Sequence, residues 1–219
     1  MARMPHASWY NWYANRCLER EIAGVALSLS GRRVVDVGCG TQPYRHLLGQ
    51  FAEYVAFDSP SRTDSATRAD VYGDGTALPF VDRSADAVLC TEVMEHVADP
   101  VALLSEIRRV LRPGGDLVLS VPFTWPVHGE PHDYWRFTEF GLRAILERAG
   151  FEVVSVRATN GTLGALLQAR CYSFMLLSGS LQPLTRPVVW LLQVVASALA
   201  PLDRNRRMTS NYVALARRP

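Results

Sequence analysis

The segment Val34-Val35-Asp36-Val37-Gly38-Cys39-Gly40-Thr41 constrains this chain most. A β-branched run of this kind reads as a buried strand. It runs directly into a Gly-x-Gly turn and then into a helix. Glycines in such a turn adopt positive φ and let backbone approach a ligand closely. A dinucleotide fingerprint would need its third glycine at position 42 or 43, where Gln42 and Pro43 stand. No basic residue lies in the turn to balance phosphate charge, so the loop is not built for a pyrophosphate.

The rest of the chain alternates strands and helices. Residues 8–30 read as an amphipathic helix with Leu18, Ile22, Val25 and Leu29 at helical spacing, closed by Gly31. Tyr44–Phe51 reads as a short helix, Tyr54–Phe57 as a strand and residues 59–69 as a polar loop. Asp86–Cys90 is a further strand. Asp99 and Pro100 start a helix whose apolar face carries Leu103, Leu104, Ile107, Val110 and Leu111. Pro113-Gly114-Gly115 ends it before a strand at Leu117–Val121. Thr138 caps a helix running to about Gly150, Glu152–Val156 is a strand, 161–202 is helical and apolar, and Tyr212–Ala216 is the last strand. This order predicts an α/β fold with a mostly parallel sheet. We read residues 1–219 as one domain: an N-terminal helix (8–30), a core (31–160), a helical insert or lid (161–207) and a last strand (208–219).

Further acids stand where a nucleoside would need them. Asp58 closes the second strand, twenty positions after Gly38, where a carboxylate can hold both ribose hydroxyls. Gly73-Asp74-Gly75 begins a loop in which an acid can accept from an adenine amino group. The stretches Ser84–Val97 and Leu111-Arg112-Pro113-Gly114-Gly115 follow in order.

This ordered set resembles the class I S-adenosylmethionine-dependent methyltransferases, in particular a broad bacterial group with motifs like DVGCGTGPY, GDAEALPF and LRPGG. The resemblance covers roughly residues 30–157. It implies a seven-stranded, Rossmann-like, doubly wound sheet with helices on both faces and an antiparallel last strand. It implies S-adenosyl-L-methionine as cofactor, with Asp36, Gly38 and Gly40 at its methionine end, Asp58 at the ribose, Asp74 and Gly75 at the adenine, and Cys90 and Glu92 lining the pocket. It also turns His96 toward the active site. Gln42 departs from the usual third glycine.

The loop 122–138 carries the second concentration of chemistry. It holds His128, Glu130, His132, Asp133 and Arg136 among aromatic residues, stiffened by Pro122, Pro126 and Pro131. A direct methyl displacement needs an in-line nucleophile, and a hydroxyl nucleophile needs a base near neutral pH. His128 and His132 are the two candidates, with Asp133 to orient one of them. Arg136 can grip an anionic group with two hydrogen bonds, and Trp125, Tyr134 and His96 are further candidates to hold the acceptor. His128 and His132, flanked by Glu130 and Asp133, also have the composition of a metal site. Pro131 interrupts the helical spacing such a pair needs, so no metal is assigned. A structural reading competes for this loop, in which its rings simply pack under the next helix.

Composition narrows the function. All 23 basic residues are arginine, which removes Schiff-base and Walker-lysine chemistry. The net charge of +2 and the lack of a basic stripe argue against nucleic acid. The four cysteines form no CxxC pair, so neither zinc knuckle nor disulfide framework is expected. The first residues do not read as a secretory signal, which makes the cytoplasm the expected address. Between Arg170 and Asp203 the only charge is Arg186. Two apolar segments, split by Gln182–Pro187, each fall short of the ~20 residues that span a bilayer. A lid over a partly hydrophobic or lipid-linked acceptor, a homodimer interface and a peripheral membrane patch through 161–203 all fit.

The sequence therefore reads as a methyltransferase acting on a small-molecule oxygen, such as a sugar or natural-product hydroxyl. The alternatives are a non-methylating enzyme using the same cofactor for cyclisation or elimination, and a non-catalytic membrane- or partner-binding relic.

Overall fold

A computed structural model describes residues 9–60, 68–178 and 181–219. Helix α1 (Trp12–Ala26) is followed by β1 (Arg33–Val37), a 3-10 turn at Arg45–Leu48, β2 (Glu53–Asp58), β3 (Val71–Tyr72) and β4 (Ala85–Thr91). A second 3-10 turn (Met94–His96) leads to α2 (Pro100–Val110), β5 (Leu111–Pro122), α3 (Glu139–Arg148) and β6 (Glu152–Ala158). Helices α4 (Thr162–Ser178) and α5 (Gln182–Leu199) precede β7 (Asn211–Arg217). The strands form one seven-stranded sheet in the order β3-β2-β1-β4-β5-β7-β6. Strand β7 runs antiparallel to both neighbours, and the pairs from β3 to β5 are parallel.

Strand alternation assigns the two faces. Val34, Leu89, Val118 and Val213 pack with Leu18, Ile22, Val25 and Leu29, which come from α1 and the turn after it. Val35, Val37, Val88, Cys90, Leu117 and Leu119 face Leu103, Leu104, Ile107, Leu142 and Leu146 of α2 and α3. Each fully buried aliphatic side chain contributes about 1.5–3 kcal/mol of transfer free energy. Asp99 caps α2 through bonds from Val101 and Ala102, and Thr138 caps α3 through Gly141.

The reversal between β1 and β4 leaves a crevice at the carboxyl ends of the central strands, where ligands of open α/β sheets bind. The turn after β1, the segment after β4 and the loop after β5 meet there.

Three local expectations are corrected. The helix expected over Tyr44–Phe51 is only the single 3-10 turn Arg45–Leu48. Six strands were legible in the sequence; the seventh is Val71–Tyr72, two residues too short for an alternation pattern, beside the predicted 59–69 loop. Residues 61–67 of that loop lie outside the described residues. The segment Gln182–Pro187 does not split the insert but forms the first turns of α5, with Pro187 inside the helix.

The insert docks on α1. Gln193 Nε2 donates to Trp9 O at 2.8 Å and its Oε1 accepts from Tyr13 N at 3.1 Å. Gln168 Nε2 donates to Tyr10 O at 2.9 Å. Leu184, Trp190 and Leu191 remain exposed on α5. Among the described residues no helix is long and apolar enough to cross a membrane.

Candidate active site

The turn after β1 is held by its neighbours. The N–H groups of Gly38 and Cys39 both donate to Phe57 O on β2, at 2.9 and 3.0 Å. Gly38 has φ +73°, and a Cβ there would stand 2.2 Å from Val93 Cγ2. Only glycine satisfies both constraints. Gly40 also has positive φ, +50°, yet its Cβ position faces open space. Gln42 adopts φ +59° where the usual third glycine would sit. Its side chain is fixed at both ends, donating to Arg68 O and accepting from Arg45 Nη1 at 2.9 Å. The departure from glycine is absorbed by those two bonds.

Asp36 is buried at the end of β1. The Tyr54 hydroxyl donates to its Oδ2, while its Oδ1 has no hydrogen-bond partner. Burial pushes the carboxyl up to about 7, against the pull of the Tyr54 bond. Asp58 lies over the same turn: Oδ2 accepts from Gly40 N at 2.8 Å and Oδ1 from Ser59 N at 2.7 Å. Asp36, Gly38, Gly40 and Asp58 are thus brought together. Asp74 stands on the exposed loop after β3 and accepts from both Thr76 N and Thr76 Oγ1 at 2.8 Å. Those bonds hold its carboxyl below the usual range. Gly75 follows, with Leu103 Cδ1 only 3.2 Å from a would-be Cβ. Cys90 is fully buried in the α2/α3 core, and burial raises its thiol.

Glu92 leaves β4 with φ +54°, an unusual conformation for a residue with a side chain. Ser120 Oγ donates to its Oε1 at 2.7 Å and Asn211 Nδ2 to its Oε2 at 2.8 Å. Burial raises this carboxyl despite both donors. Three residues on, Glu95 is wholly buried and neither carboxylate oxygen has a hydrogen-bond partner. Burial first, and then the Glu92 carboxylate, push it well up. Its Oε1 lies 3.7 Å from His96 Nε2 and 3.9 Å from His128 Nε2. The two imidazoles meet edge to face at 4.8 Å between centroids.

The loop after β5 is organised by Arg136, and this corrects its expected role. Nε donates to Trp125 O at 2.9 Å. Nη1 donates to Asp133 Oδ1 at 2.6 Å and Trp135 O at 2.7 Å. Nη2 donates to Pro126 O and Asp133 Oδ2, both at 2.8 Å. All five guanidinium hydrogens are engaged within the loop, which leaves none for an anionic substrate. Asp133 also accepts from His128 N at 2.7 Å, and the Arg136 hydrogen bonds hold its carboxyl far below the usual range. Of the two histidines it faces His128, fixing that residue's backbone and lying 3.5 Å from its Nδ1.

His132 is exposed. Its Nδ1 lies 3.0 Å from Tyr134 Oη, and its carbonyl lies 2.7 Å from His96 Nδ1. Tyr134 N donates to Glu95 O at 2.8 Å. Trp125 packs against Tyr172 of α4 at 6.0 Å, so the insert touches the loop. The fold thus gathers His96 and His128 and leaves His132 at the rim. Sequence reasoning gave no role to Glu95, Tyr54, Ser120 or Asn211. Glu95 had a local signal, its place beside His96. The other three had none, because their partners lie 18, 28 and 119 positions away.

The methyltransferase domain family matches residues 35–119. The chain is 30% identical over 175 residues to the O-methyltransferase rstn1 of Aspergillus nomiae, covering 68% of this chain and 78% of that protein. It is 33% identical over 161 residues to a probable S-adenosylmethionine-dependent methyltransferase of Mycolicibacterium smegmatis, covering 68% of this chain but only 58% of that relative. In fold it is similar to the [4+2]-cyclase SpnF (TM-score 0.61, 20% identity, 92% of this chain and 80% of that one). It is also similar to the Haemonchus contortus phosphoethanolamine N-methyltransferase 2 solved with S-adenosyl-L-methionine (TM-score 0.60, 17% identity, 96% of this chain and 56% of that one). The chain belongs to the class I S-adenosylmethionine-dependent methyltransferases, and S-adenosylmethionine is its cofactor.

The residues present fit that cofactor. The unpartnered Asp36 Oδ1 suits an ammonium group, and the open space at Gly40 admits a ligand against backbone.

Proposed function

We propose that this enzyme methylates a hydroxyl of a small, partly apolar acceptor. The observation that carries the reading is the cluster of Glu95, His96 and His128 at the carboxyl end of β4, with both imidazole Nε2 atoms turned to one carboxylate. Asp36, Gly38 and Gly40 would hold the methionine end of the cofactor, Asp58 the ribose, and Asp74 with Gly75 the adenine. When bound, the cofactor supplies an electrophilic methyl group on a sulfonium.

The chain's own residues position the acceptor and take its proton. His96 Nδ1 faces the His132 carbonyl and His128 Nδ1 faces the Pro126 carbonyl at 3.1 Å. An imidazole N–H is the donor in such a pair, which leaves the lone pair on each Nε2. Either Nε2 can accept the hydroxyl proton as the oxygen attacks. Asp133 and Arg136 keep His128 in place through the loop backbone. Trp125 and Tyr172 join the loop to α4, and the insert acts as a lid whose apolar surface suits a hydrophobic acceptor.

The test is label transfer from methyl-labelled S-adenosylmethionine to a panel of sugar and polyketide-like alcohols. Labelled ether product with S-adenosylhomocysteine is expected. His128→Ala should lower turnover roughly 100-fold or more, the size of a general-base contribution, with S-adenosylhomocysteine affinity retained. Cofactor-dependent conversion of an acceptor without label transfer would replace this reading with cyclisation or elimination. Label transfer to nitrogen alone would overturn the oxygen assignment.

A further inference from the structure

We propose that Glu95, His96 and His128 form a binding site for one divalent first-row transition cation. The inference rests on the acceptor-side reading above. A bound cation would take over from the imidazoles the task of activating the acceptor oxygen.

Among the described residues, these three bring one ligand atom each to within 4.8 Å of one another. Two histidines and one carboxylate are a donor set for zinc, iron, cobalt or nickel, and three protein ligands leave open positions for substrate oxygen. Tetrahedral bonds of ~2.1 Å space donors about 3.4 Å apart. The separations of 3.7 and 3.9 Å from Glu95 Oε1 lie near that spacing, while the group as a whole spans up to 4.8 Å, so the two imidazoles would draw together by about 1 Å around the ion.

An independent observation points the same way. Glu95 is 0% exposed and neither oxygen has a hydrogen-bond partner. A carboxylate in that position is costly unless something neutralises it. A cation between Oε1 and the two Nε2 atoms would do so.

The surroundings prepare the ligands as well. Metal-bound histidines commonly donate the other ring N–H to a carbonyl, which fixes the tautomer. His96 Nδ1 has the His132 carbonyl at 2.7 Å, and His128 Nδ1 has the Pro126 carbonyl at 3.1 Å. Arg136 Nη2, 3.3 Å from His128 Nδ1, already uses both hydrogens on Pro126 O and Asp133 Oδ2. Such a cation lowers the pKa of an oxygen bound at an open position, so the acceptor class it favours is one that chelates, a vicinal diol or catechol.

The test is direct titration of chelator-treated full-length protein with Co2+, read by visible d–d absorption, with Zn2+ as competitor. One equivalent with a low-symmetry spectrum, displaced by Zn2+, is expected. Glu95→Gln and His128→Ala should each weaken Co2+ binding at least tenfold, with thermal unfolding confirming that each variant is folded. If Glu95→Gln does not fold, His128→Ala and His96→Ala decide. Absence of a spectrum in the parent protein overturns the proposal, as does Co2+ affinity unchanged in the folded variants. Neither readout uses methyl transfer, so a failure of the cation site and a failure of the proposed reaction are distinguishable.

Discussion

Asn211 Nδ2 donates to Glu92 Oε2 at 2.8 Å, so the last strand of the sheet holds a carboxylate presented by the fourth. The pair joins residues 119 positions apart and fixes the segment on which Glu95 and His96 stand. Asn211→Ala would strip one donor from a buried acid. A loss of about 1–3 kcal/mol in unfolding free energy is expected, measured by urea denaturation. An unchanged midpoint would mean that water replaces the amide.

The two glycines of the first turn should fail differently. Gly38→Ala places a methyl 2.2 Å from Val93 Cγ2 at positive φ, and should destabilise the fold by more than ~2 kcal/mol. Gly40→Ala meets nothing within 4 Å and carries only a backbone strain of order 1 kcal/mol. It should fold and yet lose at least tenfold in S-adenosylhomocysteine affinity, because its methyl would enter the space left for ligand. Thermal melts and calorimetry on both variants separate the effects. Full affinity in Gly40→Ala would remove that residue from the cofactor site.

Asp36 gives the protein without cofactor a pH dependence. Its folded carboxyl stands at about 7 against an ordinary value of 3.8, chiefly through burial. Between those values the native state holds more protons than the unfolded chain, so stability falls as pH rises and levels off above about 7. Asp36→Asn should flatten this window relative to the parent, in urea titrations at about pH 5 and about pH 8. Parallel pH profiles for the two proteins would show that Asp36 is ionised and solvated throughout.

The Asp133–Arg136 pair should order the loop without touching ligand. Arg136→Lys keeps the charge but loses the fork and three of its backbone bonds. Limited proteolysis between Trp125 and Trp135 should accelerate several-fold, while S-adenosylhomocysteine affinity stays level. A loop as resistant as the parent's would transfer the ordering role to its prolines.

Elements whose causes are local were legible along the chain. The Val34–Val37 run, the glycine turn, the Asp99 and Thr138 caps and the order of strands and helices all act within a few residues, so the sheet and the cofactor turn could be read from them. The candidate pocket acid Asp58 followed from its spacing after the glycine turn, and Asp36 from the family resemblance that the ordered motifs carry. The acceptor side could not be read in this way. The two histidines placed together in the loop sequence, His128 and His132, are parted by it, and His128 instead meets His96, 32 positions earlier. Arg136 was legible as an anion grip by residue type, yet only the folded loop shows its five donors consumed. The insert was legible as apolar helix, but Gln182–Pro187, expected to split it, forms the first turns of α5, with Pro183 at the helix start and Pro187 inside it. Tertiary structure decided these points because burial sets the cost of a polar side chain and leaves it to pair with whatever the sheet order brings near. Strand order joins segments distant along the chain, and no local pattern records which they are.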